Sequence, residues 1–195
     1  MRNFFVFFVL ILVGLPGLAW AQTTGRASTG VAVEAPQARI DKLFEELKKA
    51  RTEQSAERVS TRIRQEWARS GSASIDLLMQ WSQKAMDAKK NDVAMDFLDQ
   101  VVTLAPDYAE GWNRRATLHF AMEDYAKAMA DISWTLRLEP RHFGALSGMA
   151  TILRETGRKE AAMHAYERLL EVYPMMRSAQ TELGRLVDEL TGQRI

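Results

Sequence analysis

The sequence predicts an all-α solenoid of stacked helical hairpins, and three observations predict it. Pro106, Pro140 and Pro174 recur at a fixed interval of 34 residues (106 to 140, 140 to 174), the mark of a repeat built from two helices and a turn. Ala94, Ala128 and Ala162 hold one small slot at the same interval, and Ser82, Ala116 and Ala150 hold a second, as close helix approach requires. Beyond the first segment Ala, Leu, Glu, Lys, Arg and Met dominate, and the whole chain has 5 prolines among 195 residues, which favours helix.

The first segment stands apart from that pattern. MRNFFVFFVLILVGLPGLAWAQ opens with Arg2, runs apolar from Phe4 to Leu15, breaks at Pro16-Gly17 and ends in Ala19-Trp20-Ala21. This is the layout of a secretory signal peptide over 1–21 with cleavage after Ala21, and it predicts a periplasmic protein. The alternative is an uncleaved membrane anchor, for which Phe4 to Trp20 has the minimum length. Without Arg2 the remainder carries 25 basic against 25 acidic residues, so its charge does not point to nucleic acid. There are no cysteines, so neither a disulfide nor a lipidated cysteine is expected.

Residues 22–37 are small and polar without period and read as a flexible linker. Over 38–72 the stripes Ile40, Leu43, Phe44, Leu47, Ala50 and Ala56, Val59, Ile63, Trp67 predict two helices joined near Thr52. This N-terminal helical hairpin is a degenerate repeat or a cap; Lys48 in the small-residue row favours the cap. SGSAS at 70–74 predicts a turn with serine caps for the next helix. At the other end, 177–195 predicts an amphipathic capping helix with Leu183, Leu186, Val187 and Leu190 on one stripe and Gly184 in the small-residue row.

LEPRHFGALSGMA, 138–150, gathers proline, arginine, histidine and glycine as a catalytic loop would. The period assigns it instead to a turn between repeats, since proline ends the preceding helix. The remaining chemistry-bearing patterns are empty. His119, His142 and His164 have no metal-binding spacing, and no phosphate loop, dinucleotide fingerprint or nucleophile elbow occurs. Neither a catalytic residue nor a metal or cofactor is predicted. A cell-envelope hydrolase with acid residues that the pattern does not reveal is the enzymatic alternative. Trp67, Trp81, Trp112 and Trp134 read as core, and Arg114, Arg115, Arg141 and His142 as cations paired with Asp107, Glu110 and Glu139.

Residues 73–176 resemble three tetratricopeptide repeats. Leu78, Ser82, Ala94 and Pro106 fit the first, Trp112, Ala116, Ala128 and Pro140 the second, and Leu146, Ala150, Gly157, Ala162, Tyr166 and Pro174 the third. Lys89 and Glu123 depart from the pattern where the third repeat has its loop glycine. AEGWNRRATL and EPRHFGALSG resemble phrases of exported bacterial members. The resemblance implies a right-handed superhelix that acts as an interaction module or scaffold, binding a protein or peptide partner on its concave face. The groove slots fall on Met79, Gln83 and Met86, then Asn113, Thr117 and Phe120, then Ser147, Thr151 and Arg154. Some members clamp a C-terminal carboxylate; those slots hold Met79, Gln83, Arg114, Gly144 and Gly148, with Arg114 alone cationic, so no clamp is implied.

Overall fold

The computed structural model describes residues 36–192. The expected signal segment and nearly all of the linker lie outside them. The described chain is helical throughout: α1 (Pro36–Lys49), α2 (Glu53–Trp67), α3 (Ala73–Asp87), α4 (Asn91–Leu104), α5 (Ala109–Ala121), α6 (Tyr125–Leu138), α7 (Phe143–Glu155), α8 (Lys159–Val172) and α9 (Arg177–Gly192). None of these is long and apolar enough to cross a membrane.

Helices α3 to α8 form three antiparallel hairpins stacked in chain order, and α9 packs on α8. The small-residue rows are the reason for the close approach. Ala94, Ala128, Ala162, Ser82 and Ala150 are fully buried and Ala116 nearly so, with Leu98, Ile132 and Tyr166 filling the space between. The turn inside each hairpin repeats as well. Lys89, Glu123 and Gly157 all take left-handed backbone, at φ 56°, 60° and 74°. Lys90, Asp124 and Arg158 each donate an N–H to the carbonyl five residues back, on Ala85, His119 and Leu153, closing the same helix-end motif three times. The missing glycines at 89 and 123 therefore leave the turn geometry intact, at a steric cost in those two residues.

Helix α9 occupies the place of a first helix of a hairpin, packed on α8. Ala179 and Leu186 are buried and Leu183 partly so, because they face α8. Val187, expected on the buried stripe, is 41% exposed, and Gly184 is exposed too. In a complete hairpin those slots face the second helix, as Ala150 and Leu153 face α8, whereas no described residue outside α9 lies within 4 Å of a Cβ placed at Gly184.

The α1–α2 hairpin does not stack on α3 as a cap of the array would. Helix α2 crosses the N-terminal ends of α5, α7 and α9. Ala68, just past its end, accepts from Tyr108 Oη at 3.1 Å. Trp67 stacks on His142 at 4.1 Å and meets Phe143 at 4.8 Å. Tyr173 Oη donates to Glu57 at 3.0 Å, and Glu53 pairs with Arg177 at 3.6 Å. Leu43, Phe44, Leu47, Ala56 and Ile63 join one core with the α7–α9 residues, while Arg141 spans from Glu139 to Asp41 and lies over the Phe44 ring. Thr52 and Ser55 form a capping box at the start of α2. At α3 the expected serine cap is replaced: Ser72 makes no side-chain cap bond, and Asp76 instead accepts from both the Ser70 N–H and its hydroxyl.

Two of the four tryptophans among the described residues depart from the core expectation. Trp67 is buried, but Trp81 and Trp134 are 42% and 41% exposed. Trp134 stacks on half-buried Trp112 at 5.3 Å, with Arg137 over its own ring at 4.2 Å and Arg115 over Trp112 at 4.9 Å. Cation–π stacking lets these rings remain in contact with solvent.

Candidate functional site

The groove runs across α3, α5 and α7, the first helix of each hairpin. Between α5 and α7 it holds a cavity of about 170 Å³. Ile132, Ile152, Ala116 and Ala145 make an apolar floor, while Asn113, Thr117, Phe120, Ser147 and Thr151 form the rim. Small residues create the space: a Cβ at Gly148 would stand 3.4 Å from the Ile132 side chain. Thr117 and Thr151 each donate a hydroxyl to the carbonyl four residues back, on Asn113 and Ser147, which presents their methyl groups and leaves the hydroxyl lone pairs able to accept. The Asn113 amide donates to Glu110 at 2.9 Å, leaving its carbonyl oxygen as an acceptor.

Five of the slots expected from the sequence thus meet at one cavity. Gln83 and Arg114 lie elsewhere, bonded to each other beside Met79 in a second depression with Asp76, Tyr108 and Glu110. Met79 is 8% exposed and Met86 packs into the α3–α4 core, so neither offers much surface. Arg154 is held by Glu182 at 2.6 Å and Glu155 at 2.7 Å, away from the cavity. Its partner Glu182 is held below the usual carboxylate range by the Arg185 and Arg154 guanidinium groups.

The pattern missed a polar centre where α2 meets the groove. Glu110 is 13% exposed at the side chain and lies between Arg114 at 2.9 Å and His142 at 3.2 Å. Burial opposes its ionisation, but hydrogen bonding from His142 and the charge of Arg114 outweigh it and hold Glu110 below the usual range. His142 caps α7 by accepting the Ala145 N–H on Nδ1 at 3.1 Å. Its ring proton is therefore on Nε2, donated to Glu110. The LEPRHFG stretch is thus a turn whose histidine is structural. A cleft of about 340 Å³ opens beside this centre, with Thr61, Arg64 and Gln65 of α2 as one wall and Asn113, Arg114 and Gly144 as the other. The cations at the repeat junctions are all paired. Arg115 takes Asp131 and Asp99, both at 2.8 Å, and Asp107 takes part in none of these pairs.

Comparison with known proteins matches this geometry to a family. The tetratricopeptide repeat model matches residues 113–174 and 147–190. A TPR repeat-containing protein of Rhizobium etli is 50% identical over 163 residues, covering 84% of this chain and 80% of that protein. The chain is a tetratricopeptide repeat protein. Among solved structures, this TPR protein is similar to the first TPR of Spaghetti (RPAP3) bound to an HSP90 peptide, at TM-score 0.57 and 24% identity over 60% of this chain and 93% of that one. The TPR2B domain of yeast Sti1, solved as a pHsp70 complex, matches at TM-score 0.56 and 15% identity over 60% and 99%. At those identities the likeness is one of fold, the solenoid of stacked helical hairpins that the 34-residue period predicts.

Proposed function

We propose that this TPR protein is an exported interaction module that holds an extended segment of a partner protein in its concave groove, with the α5–α7 cavity taking one apolar side chain. The observation that carries this reading is the convergence of Asn113, Thr117, Phe120, Ser147 and Thr151 on a single open cavity with an apolar floor. Each side chain on the rim has a lone pair or ring edge to offer an extended backbone, and the recessed floor selects for an apolar residue. The Spaghetti and Sti1 domains with the same fold were solved with an HSP90 peptide and as a pHsp70 complex, which supports a peptide-like ligand here. Gly144, Gly148 and Met79 provide no cations for a terminal carboxylate, so an internal segment is the ligand expected. Residues 1–21 supply the export signal, and the periplasm is the compartment.

Crosslinking in cells from a photoreactive residue at position 120 tests this. Capture of one specific protein, lost when Asn113→Ala is added, is the expected outcome. Crosslinks that arise only from the convex side would refute the groove as the working surface. The compartment is tested separately, by whether the mature N-terminus is Gln22.

A further inference from the structure

The cleft beside the Glu110–His142 pair adjoins the α5–α7 cavity, since Asn113 and Gly144 line both. Its chemistry is different. The cavity has an apolar floor, whereas the cleft is lined by two guanidinium groups, Arg64 from α2 and Arg114 from α5. Several of the groups that line it are donors without a partner. Arg64 bonds through Nη2 to Glu57 and Thr61, which leaves its Nε and Nη1 unbonded among the described residues. Arg114 directs Nη1 to Gln83 and Nη2 to Glu110 and keeps Nε. The exposed Gln65 amide bonds to no described residue, and Trp67, which also lines the cleft, carries a buried indole N–H without a partner. The one carboxylate among the lining residues, Glu110, already accepts from Arg114, His142 and Asn113. Arg64 is also held in place: Glu57 itself accepts from Tyr173 at 3.0 Å and from Ser60, and the Arg64 guanidinium lies 5.8 Å from the centre of the Phe143 ring. A fixed cation with unbonded N–H groups on the wall of a recess favours an acceptor of opposite charge.

We propose that this cleft is a second subsite of the groove, taking an acidic side chain of the same bound segment whose apolar residue fills the α5–α7 cavity. The subsite rests on the peptide-binding reading and narrows the class of segment that the groove accepts. That class is an apolar residue with an Asp or Glu within about two positions, the interval over which an extended chain can place side chains in adjoining recesses. Arg64 Nε and Nη1 donate to the carboxylate, with the Gln65 amide and Arg114 Nε as further donors lining the same space. A cationic residue there would meet two guanidinium groups instead, so the cleft rejects basic segments as well as accepting acidic ones. Helix α2 lies outside the repeats, so no slot of the 34-residue period supplies Arg64 or Gln65. The subsite exists because the first hairpin lies across the ends of the groove helices.

Panning a phage-displayed library of random linear segments against the purified protein tests the subsite and separates it from the groove. The expected result is enrichment of an apolar residue with Asp or Glu within two positions. By fluorescence anisotropy, a synthetic peptide of the enriched sequence should bind Arg64→Gln about tenfold more weakly than the wild type. Exchanging the acid of that peptide for its amide should weaken binding to the wild type by a similar factor and to Arg64→Gln little further. Gln65→Glu, which breaks no bond of the fold, should also weaken binding, whereas Arg62→Gln, on the same helix but outside the cleft, should not. Arg64 and Gln65 are exposed, so helix content by circular dichroism should be retained in all three variants. Enrichment of apolar segments without an acidic preference, or a preference that both Arg64→Gln and Gln65→Glu leave intact, overturns the subsite and leaves the groove standing. A library from which nothing is enriched overturns the subsite together with the groove.

Discussion

The two hairpins at the start of the described chain are built alike and held differently. Helices α1–α2 and α3–α4 have similar lengths and short turns, yet α3–α4 enters the stack while α1–α2 lies across helix ends. The small-residue rows do not make the difference: Ser82 and Ala94 are fully buried in α3–α4, and one period earlier Ser60 is fully buried as well, while Lys48 is exposed. What differs is the surface each hairpin covers. The first is held by the core it shares with α7–α9 and by aromatic and polar contacts to residues 142, 143, 173 and 177. A similar supersecondary unit therefore serves as a repeat in one place and as a brace in the other.

If the first hairpin is a brace attached chiefly through Trp67, Trp67→Ala is the substitution that breaks the comparison most sharply. A loss of about 3–5 kcal/mol is expected, confined to α1–α2, with amide exchange accelerated there and unchanged in α4, α6 and α8. Uniform acceleration across the chain would make the hairpin part of one cooperative unit. Trp67→Phe sharpens the point. The buried indole N–H has no hydrogen-bond partner among the described residues, and an unsatisfied buried donor is destabilising, so Phe should preserve stability or raise it slightly.

A second difference is electrostatic, because His142, on which Trp67 of the brace stacks, is bonded to Glu110 of α5. Its folded-state value lies below the usual range, so the stability it contributes is present above the unfolded value of about 4.3 and is lost as pH falls through the depressed one. The melting temperature should thus drop between pH 5 and pH 3, and Glu110→Gln should flatten that drop while lowering stability at neutral pH. An unchanged acid limb in the variant would show that Glu110 is not the group being titrated.

The smallest effect belongs to the repeats alone. Lys89→Gly and Glu123→Gly relieve left-handed backbone that Gly157 adopts without strain. Each should stabilise the array by about 0.5–1 kcal/mol after the entropy of the unfolded chain is charged against it. Thermal or urea unfolding reads this directly, and the same substitution at exposed Lys84, inside α3, should destabilise instead.

Much of the groove was legible in the sequence. Asn113, Thr117 and Phe120 stand three and four residues apart, and Ser147, Thr151 and Arg154 repeat the pattern one period on, so helical geometry alone puts most of them on one face. Arg154, on the same row, turns to Glu182, which α9 supplies, a contact that no spacing within the repeat announces. The α2 wall and the Glu110–His142 pair were not legible at all, since both arise where segments distant in sequence meet.

By itself the sequence determined the helices, their 34-residue period, the small rows and hence the stack, because each of these depends on residues within one repeat or its neighbour. Only the tertiary structure decided that α1–α2 braces the ends of α5, α7 and α9, that Trp81 and Val187 face solvent, and that Glu110 is ionised while buried. These depend on which surface is left for a segment to cover once its neighbours have packed, and that competition between distant surfaces leaves no periodic signal in the chain.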